Sequence, residues 1–271
     1  MESCKPIPAS ELPCNSPTVL RFPDIDSTNE EALRQLKAGA PAPLWIVAGK
    51  QSKGRGRSGR NWESPPGNLY ASCLLKTDAP PAKATELSFV AALAVHDAIS
   101  SFLPSEERHR LTVKWPNDIM LNGAKLAGVL LESIRLPAER GLGVVLGVGI
   151  NVASTPSVSG RPVTSLAEYF AMRDSSLTSN IPALADLFET LANALEARKT
   201  FWNEGAGFDA IRSDWLARAY ALQGTVTVNL NGKTIQGKFI GVDNTGALKL
   251  EIQPGMVITI TAGDVYSEGA R

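Results

Sequence analysis

The sequence predicts an α+β fold in which helices pack against a mainly antiparallel sheet and a small all-β unit follows. Three observations predict it. Short apolar runs at 111–115, 118–121, 124–132 and 142–152 read as strands, and Asn122-Gly123 between the second and third is a hairpin signal, because both residues tolerate positive φ. Apolar residues recur at helical spacing in three longer segments, 85–102, 181–202 and 207–219. After Tyr220 the texture changes to short alternating runs at 225–230, 234–242, 247–252 and 256–261, separated by Asn231-Gly232, Asn244-Thr245-Gly246 and Pro254-Gly255.

In chain order, residues 1–18 are rich in Pro and Ser, show no period and read as a loose arm. Ordered structure begins near Val19. Ser27-Thr28-Asn29-Glu30-Glu31 opens a helix to about Lys37, with Thr28 to Glu31 fitting a capping box and Gly39 closing it. Strands follow at 44–48 and 68–75, then the helix over 85–102, whose Leu87, Val90, Ala91, Ala94, Val95, Ala98, Ile99 and Phe102 form a core stripe. A loop with no period, 153–164, separates the strands up to 152 from the next two helices. The organisation expected is an arm over 1–18, a main domain over 19–220 and a unit over 221–271. About fifty residues bury only a modest core, so the last unit is expected to lean on the main domain.

Composition narrows the function classes. The 271 residues are 44% hydrophobic, enough for a sizeable core. Twenty-seven basic and twenty-seven acidic residues cancel, which argues against coating nucleic acid through bulk charge. Cys4, Cys14 and Cys73 are odd in number and lack metal or disulfide spacing, so a reducing compartment is the simpler inference. The start, Met1-Glu2-Ser3-Cys4-Lys5-Pro6, lacks the apolar run of a signal peptide, and the uncharged stretch 141–160 is too rich in Gly, Ser and Pro to cross a bilayer. A soluble, cytoplasmic protein with no membrane partner is expected.

Against this neutral background, Gly54-Arg55-Gly56-Arg57-Ser58-Gly59-Arg60-Asn61-Trp62 stands out. With Lys50 and Lys53 it places five cations in eleven residues, with no acid before Glu63. Like charges this close repel unless an anion or water intervenes. Glycines let backbone N–H groups approach a ligand and supply hinges. By itself the block fits a solvated basic loop as well as an anion trap.

Three further segments place polar residues in apolar strand contexts. In Lys114-Trp115-Pro116-Asn117-Asp118 the proline interrupts the ladder and turns Asn117 and Asp118 outward, which also describes an ordinary turn. In Lys125-Leu126-Ala127-Gly128-Val129-Leu130-Leu131-Glu132 a cation and a glycine open an apolar strand. In Gly147-Val148-Gly149-Ile150-Asn151 alternate glycines leave one strand face bare. Together they supply cations, backbone donors, amides and a carboxylate, an inventory suited to electrostatic catalysis. His96 lies in the core helix, His109 lies between two arginines, and Cys73 sits within a strand as a packing residue. No Ser/His/Asp set, Walker loop or Cys/His cluster is present in the sequence.

The order of these motifs, from Ser27-Thr28-Asn29 through the Arg/Gly block with Trp62-x-Ser64-Pro65, Lys114-Trp115-Pro116-Asn117-Asp118, Lys125-Leu126-Ala127-Gly128 and Gly149-Ile150-Asn151, closely resembles biotin protein ligases. The resemblance runs from about Val19 to the C-terminus. It implies a mixed, mainly antiparallel sheet with packed helices of the class II synthetase type, followed by an SH3-like β-barrel. It also implies a reaction in which the carboxylate of biotin attacks the α-phosphate of ATP, giving biotinyl-5′-adenylate and pyrophosphate. A lysine of a biotin carboxyl carrier domain of a biotin-dependent carboxylase then takes the biotinyl group.

By that resemblance Ser27, Thr28, Asn29 and Gln51, with the backbone around Gly54, Arg55 and Gly128, hold biotin, and Arg57 and Lys125 lie near its carboxylate and later the acyl phosphate. Arg60 and Lys114 face the nucleotide phosphates, with Trp62, Asn117 and Asn151 completing the nucleotide site. The catalytic set implied is Arg57, Lys114, Lys125 and Asp118, the last near the phosphates and Mg2+ and a candidate to accept or orient the proton of the carrier amine. ATP, biotin and Mg2+ are the implied ligands. Some members carry a DNA-binding helix-turn-helix ahead of the catalytic domain; fewer than about twenty residues precede Val19, too few for three packed helices, so no DNA partner is expected. A monomer or a homodimer is expected. The loop at Ser159-Gly160-Arg161-Pro162-Val163-Thr164 offers no aromatic to cover adenine, where some members have one. The rivals are a lipoate or octanoate ligase, related in fold, and an RNA-binding module using the Arg/Gly loop. The full Arg/Gly and Lys-Trp-Pro-Asn-Asp blocks disfavour the first, and the missing interleaved aromatics disfavour the second.

Overall fold

The computed structural model describes residues 17–136, 141–156, 162–173, 181–230 and 233–267. Among these residues, seven strands form one sheet: β1 (Val19–Ile25), β2 (Leu44–Gln51), β3 (Leu69–Thr77), β4 (Leu111–Lys114), β5 (Asp118–Leu121), β6 (Ala124–Arg135) and β7 (Leu142–Ile150). Their order is β1-β2-β3-β7-β6-β5-β4. Of its six pairings only β1–β2 is parallel, so the sheet is mixed and mainly antiparallel. The helices described are α1 (Thr28–Lys37), α2 (Pro81–Ala84), α3 (Leu87–Phe102), α4 (Leu166–Arg173), α5 (Leu184–Trp202) and α6 (Phe208–Ala217).

Local chemistry explains the expected elements and the departures from them. Asn122 and Gly123 adopt φ of 50° and 79°, the left-handed pair a tight β5–β6 hairpin needs. The capping box expected at Thr28 to Glu31 does not form. Ser27 is the N-cap without a side-chain cap bond, and the Thr28 hydroxyl turns to Gln51 instead. A genuine cap opens α4, an element the sequence reading missed: Ser165 Oγ accepts a bond from Glu168 N–H at 3.1 Å, in a Ser-x-x-Glu pattern. The strand expected to reach 152 stops at Ile150, because Asn68 Oδ1 takes the backbone N–H groups of Val152, Ala153 and Ser154 at 2.8, 3.0 and 3.1 Å and turns the chain. Strand β1 was also missed; it lies at the sheet edge, half exposed, with Pro23 interrupting its pattern.

The alternation of side chains gives the sheet two unlike faces. On one, Leu69, Ala71, Cys73 and Leu75 of β3 and Val144, Leu146, Val148 and Ile150 of β7 pack against α3, α5 and α6 in the main core. On the other, Leu44, Ile46, Leu74 and Val145 meet Ala32 and Leu36 of α1 in a smaller cluster. That cluster covers only part of the face. Continuing along it, Ser72 on β3, Gly147 and Gly149 on β7 and Gly128 on β6 are small, with only Tyr70 and Leu130 as large side chains beside them.

The chain ends in an SH3-like antiparallel unit: β8 (Thr225–Leu230), β9 (Lys233–Val242), β10 (Leu248–Gln253), β11 (Met256–Ile260) and the unexpected β12 (Asp264–Ser267), in the order β11-β10-β9-β8-β12. The expected turn at Asn231-Gly232 lies outside the described residues, as does most of the expected arm. Val226, Val228, Phe239, Leu248 and Leu250 join the same core as α3 and α6. Trp115 Nε1 donates to the Gly246 carbonyl at 3.0 Å. Phe89 contacts Phe208 and Trp215 edge-on at 5.6 and 5.3 Å between ring centres, with Gly246 against its ring. The two sheets therefore share one apolar junction.

Truncation at that junction is expected to weaken the whole molecule. Phe89→Ala should lower unfolding stability by about 3–5 kcal/mol, the range for losing a buried aromatic. Urea denaturation followed by tryptophan fluorescence measures it; a loss below about 1 kcal/mol would show that the junction is not a core.

Candidate functional site

Where the small-residue face emerges from under α1, a cavity of about 430 Å³ opens, a size suited to small ligands. Its floor is Gly147 and Gly149 of β7 and Gly128 of β6, and Ser27, Thr28 and Asn29 at the start of α1 close one end. The loop after β2 covers it, the β4–β5 turn walls one side, and Asp264 and Val265 of β12 reach in from the second sheet.

Glycines are required on the floor because other groups occupy the space a Cβ would take. A Cβ on Gly149 would lie 2.6 Å from the Trp62 ring, and one on Gly147 would collide with Asn29 Oδ1. The bare face is thus the seat of the Trp62 indole and the Asn29 amide.

Every sequence-predicted site residue lines this cavity except Gly54. Gly54 lies at the base of the loop, where its carbonyl accepts from Trp62 N–H at 2.9 Å and a Cβ would meet the Trp62 carbonyl oxygen and Ser64 Oγ. It is a pinch point of the loop rather than a lining residue. Above it Gly56 N–H donates to the Arg60 carbonyl at 2.7 Å, and Ser58 and Gly59 turn the tip with φ of 55° and 72°. The loop has an ordered backbone.

Electrostatics distinguish the cations. Among the described residues, five of them, Arg55, Arg57, Arg60, Lys114 and Lys125, line the cavity against three carboxylates, Glu63, Asp118 and Asp264. Arg55 pairs with Glu30 and, at 3.0 Å, with Glu132. Arg60 meets Asp264 at 2.8 Å, and Lys125 meets Asp118 at 2.5 Å while lying 5.2 Å from the Trp62 ring centre. The Lys114 ammonium lies 5.8 Å from the Tyr266 ring centre. Arg57 differs from the others. Its hydrogen bonds run to neutral acceptors, Asn117 Oδ1 at 3.2 Å and the Gly263 carbonyl at 3.4 Å. Burial pushes its pKa down, opposed by the more distant charges of Asp264 and Asp118. Its charge is therefore held under desolvation without a contacting counter-ion among the described residues, the condition in which an arriving anion gains most.

Two buried polar atoms here lack partners among the described residues, Trp62 Nε1 and Asn151 Oδ1. Asn151 is otherwise fixed, with Nδ2 donating to the Thr164 carbonyl at 3.1 Å. One donor and one acceptor are thus left for a ligand. Asn117 directs its Nδ2 to the Val129 carbonyl and its Oδ1 to Arg57, so its amide serves the wall. Asn29 is likewise satisfied within the protein, by Ser72 and Glu132. Of the loop that offers no aromatic for adenine, Ser159, Gly160 and Arg161 lie outside the described residues, while Val163 lines the cavity and the Thr164 carbonyl holds Asn151. Among the described residues, no group of three or more His, Cys, Asp or Glu is placed to hold a metal ion. No helix there is long and apolar enough to cross a membrane.

Sequence reasoning missed Asp264, Glu132 and Ser72. Asp264 meets Arg60 across a separation of 204 residues and Glu132 meets Asn29 across 103, so no local pattern marks them. The one available signal was an acid ending an otherwise apolar strand at Glu132.

Comparison with known proteins agrees with this geometry. Residues 22–151 match the biotin/lipoate A/B protein ligase family and residues 225–266 match the biotin protein ligase C terminal domain. A biotin--[acetyl-CoA-carboxylase] ligase of Paracoccus denitrificans is 36% identical over 247 residues, covering 90% of this chain and 98% of that one. The biotin protein ligase from Aquifex aeolicus in complex with biotin and ATP superposes with a TM-score of 0.71 at 24% identity, over 92% of this chain and 97% of that one. The Leishmania major enzyme in complex with biotinyl-5-AMP gives 0.62 at 20% identity, over 91% and 100%.

Cys73 is buried on the helix-covered face, and burial pushes its thiol well above the ordinary range, with Lys199 lowering and Glu196 raising it more weakly. Iodoacetamide at pH 8 should leave Cys73 unmodified in the folded protein and label it after unfolding, read by peptide mass mapping. Labelling of the native state would contradict its packing role.

Proposed function

This chain belongs to the biotin protein ligases of the biotin/lipoate A/B protein ligase family, and from that premise we propose that it makes biotinyl-5′-adenylate and delivers the biotinyl group to a lysine of a biotin carboxyl carrier domain. In the first step the carboxylate oxygen of biotin forms a bond to the α-phosphorus of ATP while the bond to the bridging oxygen breaks and pyrophosphate leaves. In the second the carrier amine attacks the acyl carbon, AMP leaves, and the amine gives up a proton. The catalytic part is assigned to residues 19–220, with the unit over 221–271 supplying one wall of the cavity.

The observation that carries this reading is Arg57, a partly desolvated guanidinium held by neutral acceptors among four other cations. Two negative charges about 4 Å apart repel by about 4 kcal/mol at an effective dielectric near 20, roughly a thousandfold against encounter. A partly desolvated cation between biotin carboxylate and α-phosphate removes that penalty with little reorganisation during the reaction. Lys125 shares the task on the floor. Arg60 and Lys114 face the outer phosphates, so that arriving phosphate competes with Asp264 for Arg60.

Ser27, Thr28, Asn29 and Gln51 close the biotin end with Gly128 beneath, and Arg55 contributes loop backbone above. Trp62 offers an indole face and the unpaired Nε1, and Asn151 the unpaired Oδ1, to the nucleotide. Asn117 acts through Arg57, whose guanidinium it orients. Mg2+ requires few protein ligands when phosphates supply the rest, and Asp118 is the carboxylate that would hold it; bound there, the ion would neutralise phosphate charge. Asp118 already contacts Lys125, so it also fixes that ammonium and is placed to take the proton of the carrier amine, whose unperturbed pKa is about 10.4. A mixed anhydride hydrolyses readily, and the ordered loop over the cavity keeps water from it.

Biotin-dependent exchange of pyrophosphate into ATP is expected, and lipoate should not replace biotin. Arg57→Ala should reduce that exchange by about 10²–10³, the range for removing one preorganised donor to developing charge. Undiminished exchange in Arg57→Ala, or equal exchange with lipoate, would reject the assignment. Asp118→Asn should slow transfer of preformed adenylate to carrier; transfer at the normal rate would remove Asp118 from that role.

A further inference from the structure

An ion pair at one end of the Arg/Gly loop leads into a chain of hydrogen bonds that passes through the interior of the sheet and returns to the other end. At the entrance, Arg55 Nη2 meets Glu132 Oε1 at 3.0 Å. The other oxygen of Glu132 accepts from Asn29 Nδ2 at 2.8 Å, and Asn29 Oδ1 lies 2.6 Å from Ser72 Oγ. Ser72 Oγ lies 2.7 Å from Thr28 Oγ1, which lies 3.1 Å from Gln51 Oε1. Gln51 Nε2 donates to Ser64 Oγ at 2.9 Å, and Ser64 donates to the Trp62 carbonyl at 2.9 Å, at the loop's exit.

Three features mark this chain as more than surface decoration. Its middle is enclosed, with Ser72 fully buried and Asn29 only 4% exposed. Strand β7 keeps a glycine at 147 where any Cβ would strike Asn29 Oδ1. The hydrogens are also limiting: Asn29 Oδ1 only accepts, so the Ser72 hydrogen belongs there, and the single Thr28 hydrogen has two takers, Ser72 and Gln51. Thr28 and Gln51 line the cavity. A ligand that engages Thr28 or Gln51 therefore changes the same hydrogens that tie the loop down.

We propose that Glu132 is a positioning residue that, through Asn29 and Ser72, fixes the Arg/Gly loop to the floor of the ligand cavity without touching substrate. Glu132 is not among the residues lining the cavity, yet its two oxygens join the loop to α1. A glutamate suits this position because one carboxylate accepts from a buried amide and an arginine at once. The loop's posture is then set from beneath, by the state of the cavity floor. The substrate arm of the test rests on the function proposed above; the loop arm does not.

The test compares Glu132→Gln with the unaltered full-length protein. The substituted side chain still accepts from Asn29 through its carbonyl oxygen but turns its own amide donors toward the Arg55 guanidinium. Limited trypsin digestion after Lys53, Arg55, Arg57 and Arg60 reads the loop directly. Cleavage there should rise about tenfold, as expected when an ion pair that restrains a local opening is lost along with the buried contacts behind it, with the thermal midpoint moved by no more than about 4 °C. In biotin-dependent exchange, the KM for biotin should rise about tenfold while kcat falls less than about threefold, the signature of lost ground-state positioning. Glu132→Asp should recover part of both effects. Unchanged cleavage with unchanged KM in Glu132→Gln would overturn the proposal. If Glu132→Gln does not fold, Arg55→Gln cuts that link from the solvent side together with the Glu30 pair, and Glu30→Gln cuts the Glu30 pair alone; cleavage at Arg57 and Arg60 must rise in Arg55→Gln above the level in Glu30→Gln. Absence of any biotin-dependent exchange in the unaltered protein would reject the function and leave the loop result standing.

Discussion

A positive charge partly withdrawn from water without a contacting counter-ion among the described residues is the constraint on which the rest of this structure depends. Concentrating five cations around one cavity is unfavourable unless each is given a partner or a purpose. Arg55, Arg60 and Lys125 are neutralised by acids drawn from α1 and β6, from β12 and from β5. Arg57 alone among these four is balanced by an amide and a carbonyl. Three cations are thus fixed by carboxylates and one by neutral acceptors, a division that arises from where the carboxylates stand.

The sheet makes this possible by abandoning ordinary core packing on half of one face. Alternation sends Val144, Leu146 and Val148 into the helix-covered core and Val145, Gly147 and Gly149 to the other side. Helix α1 covers Val145; beyond it the glycines let the Asn29 amide and the Trp62 indole lie flat on the strand. A single strand therefore serves as core on one face and as the floor of a reactive site on the other, and the rigidity of the first is transmitted to the second.

Much of this was legible in the sequence, and what was not has a physical reason. The hairpin at Asn122-Gly123 and the long core helices are local facts, written in φ preference and in a 3.6-residue period. Short elements such as α4 and β12 span too few residues to show a period, although the Ser165 to Glu168 cap was readable. The expected box at Thr28 failed because a tertiary acceptor, Gln51, competed for the hydroxyl. At the site, the motifs located the lining because they are contiguous and rich in Arg, Gly and Asn. They did not distinguish residues that face a ligand from residues that hold others in place. Asn29 and Asn117 line the cavity and also bond to partners outside the motifs that contain them, whereas Gly54 meets Trp62 of its own block.

The small C-terminal unit shows how stability and site formation become one problem. With a modest core of its own, it gains by sharing the apolar junction around Phe89 and Trp215. The same docking carries β12 to the mouth of the cavity, where Asp264 meets Arg60 and the Gly263 carbonyl meets Arg57. An aspartate on a mobile tail would be screened by water and would orient nothing. Fixed by the junction, it becomes a built-in anion that holds Arg60 in place. The apolar contact behind the sheet thus determines the polar geometry in front of it.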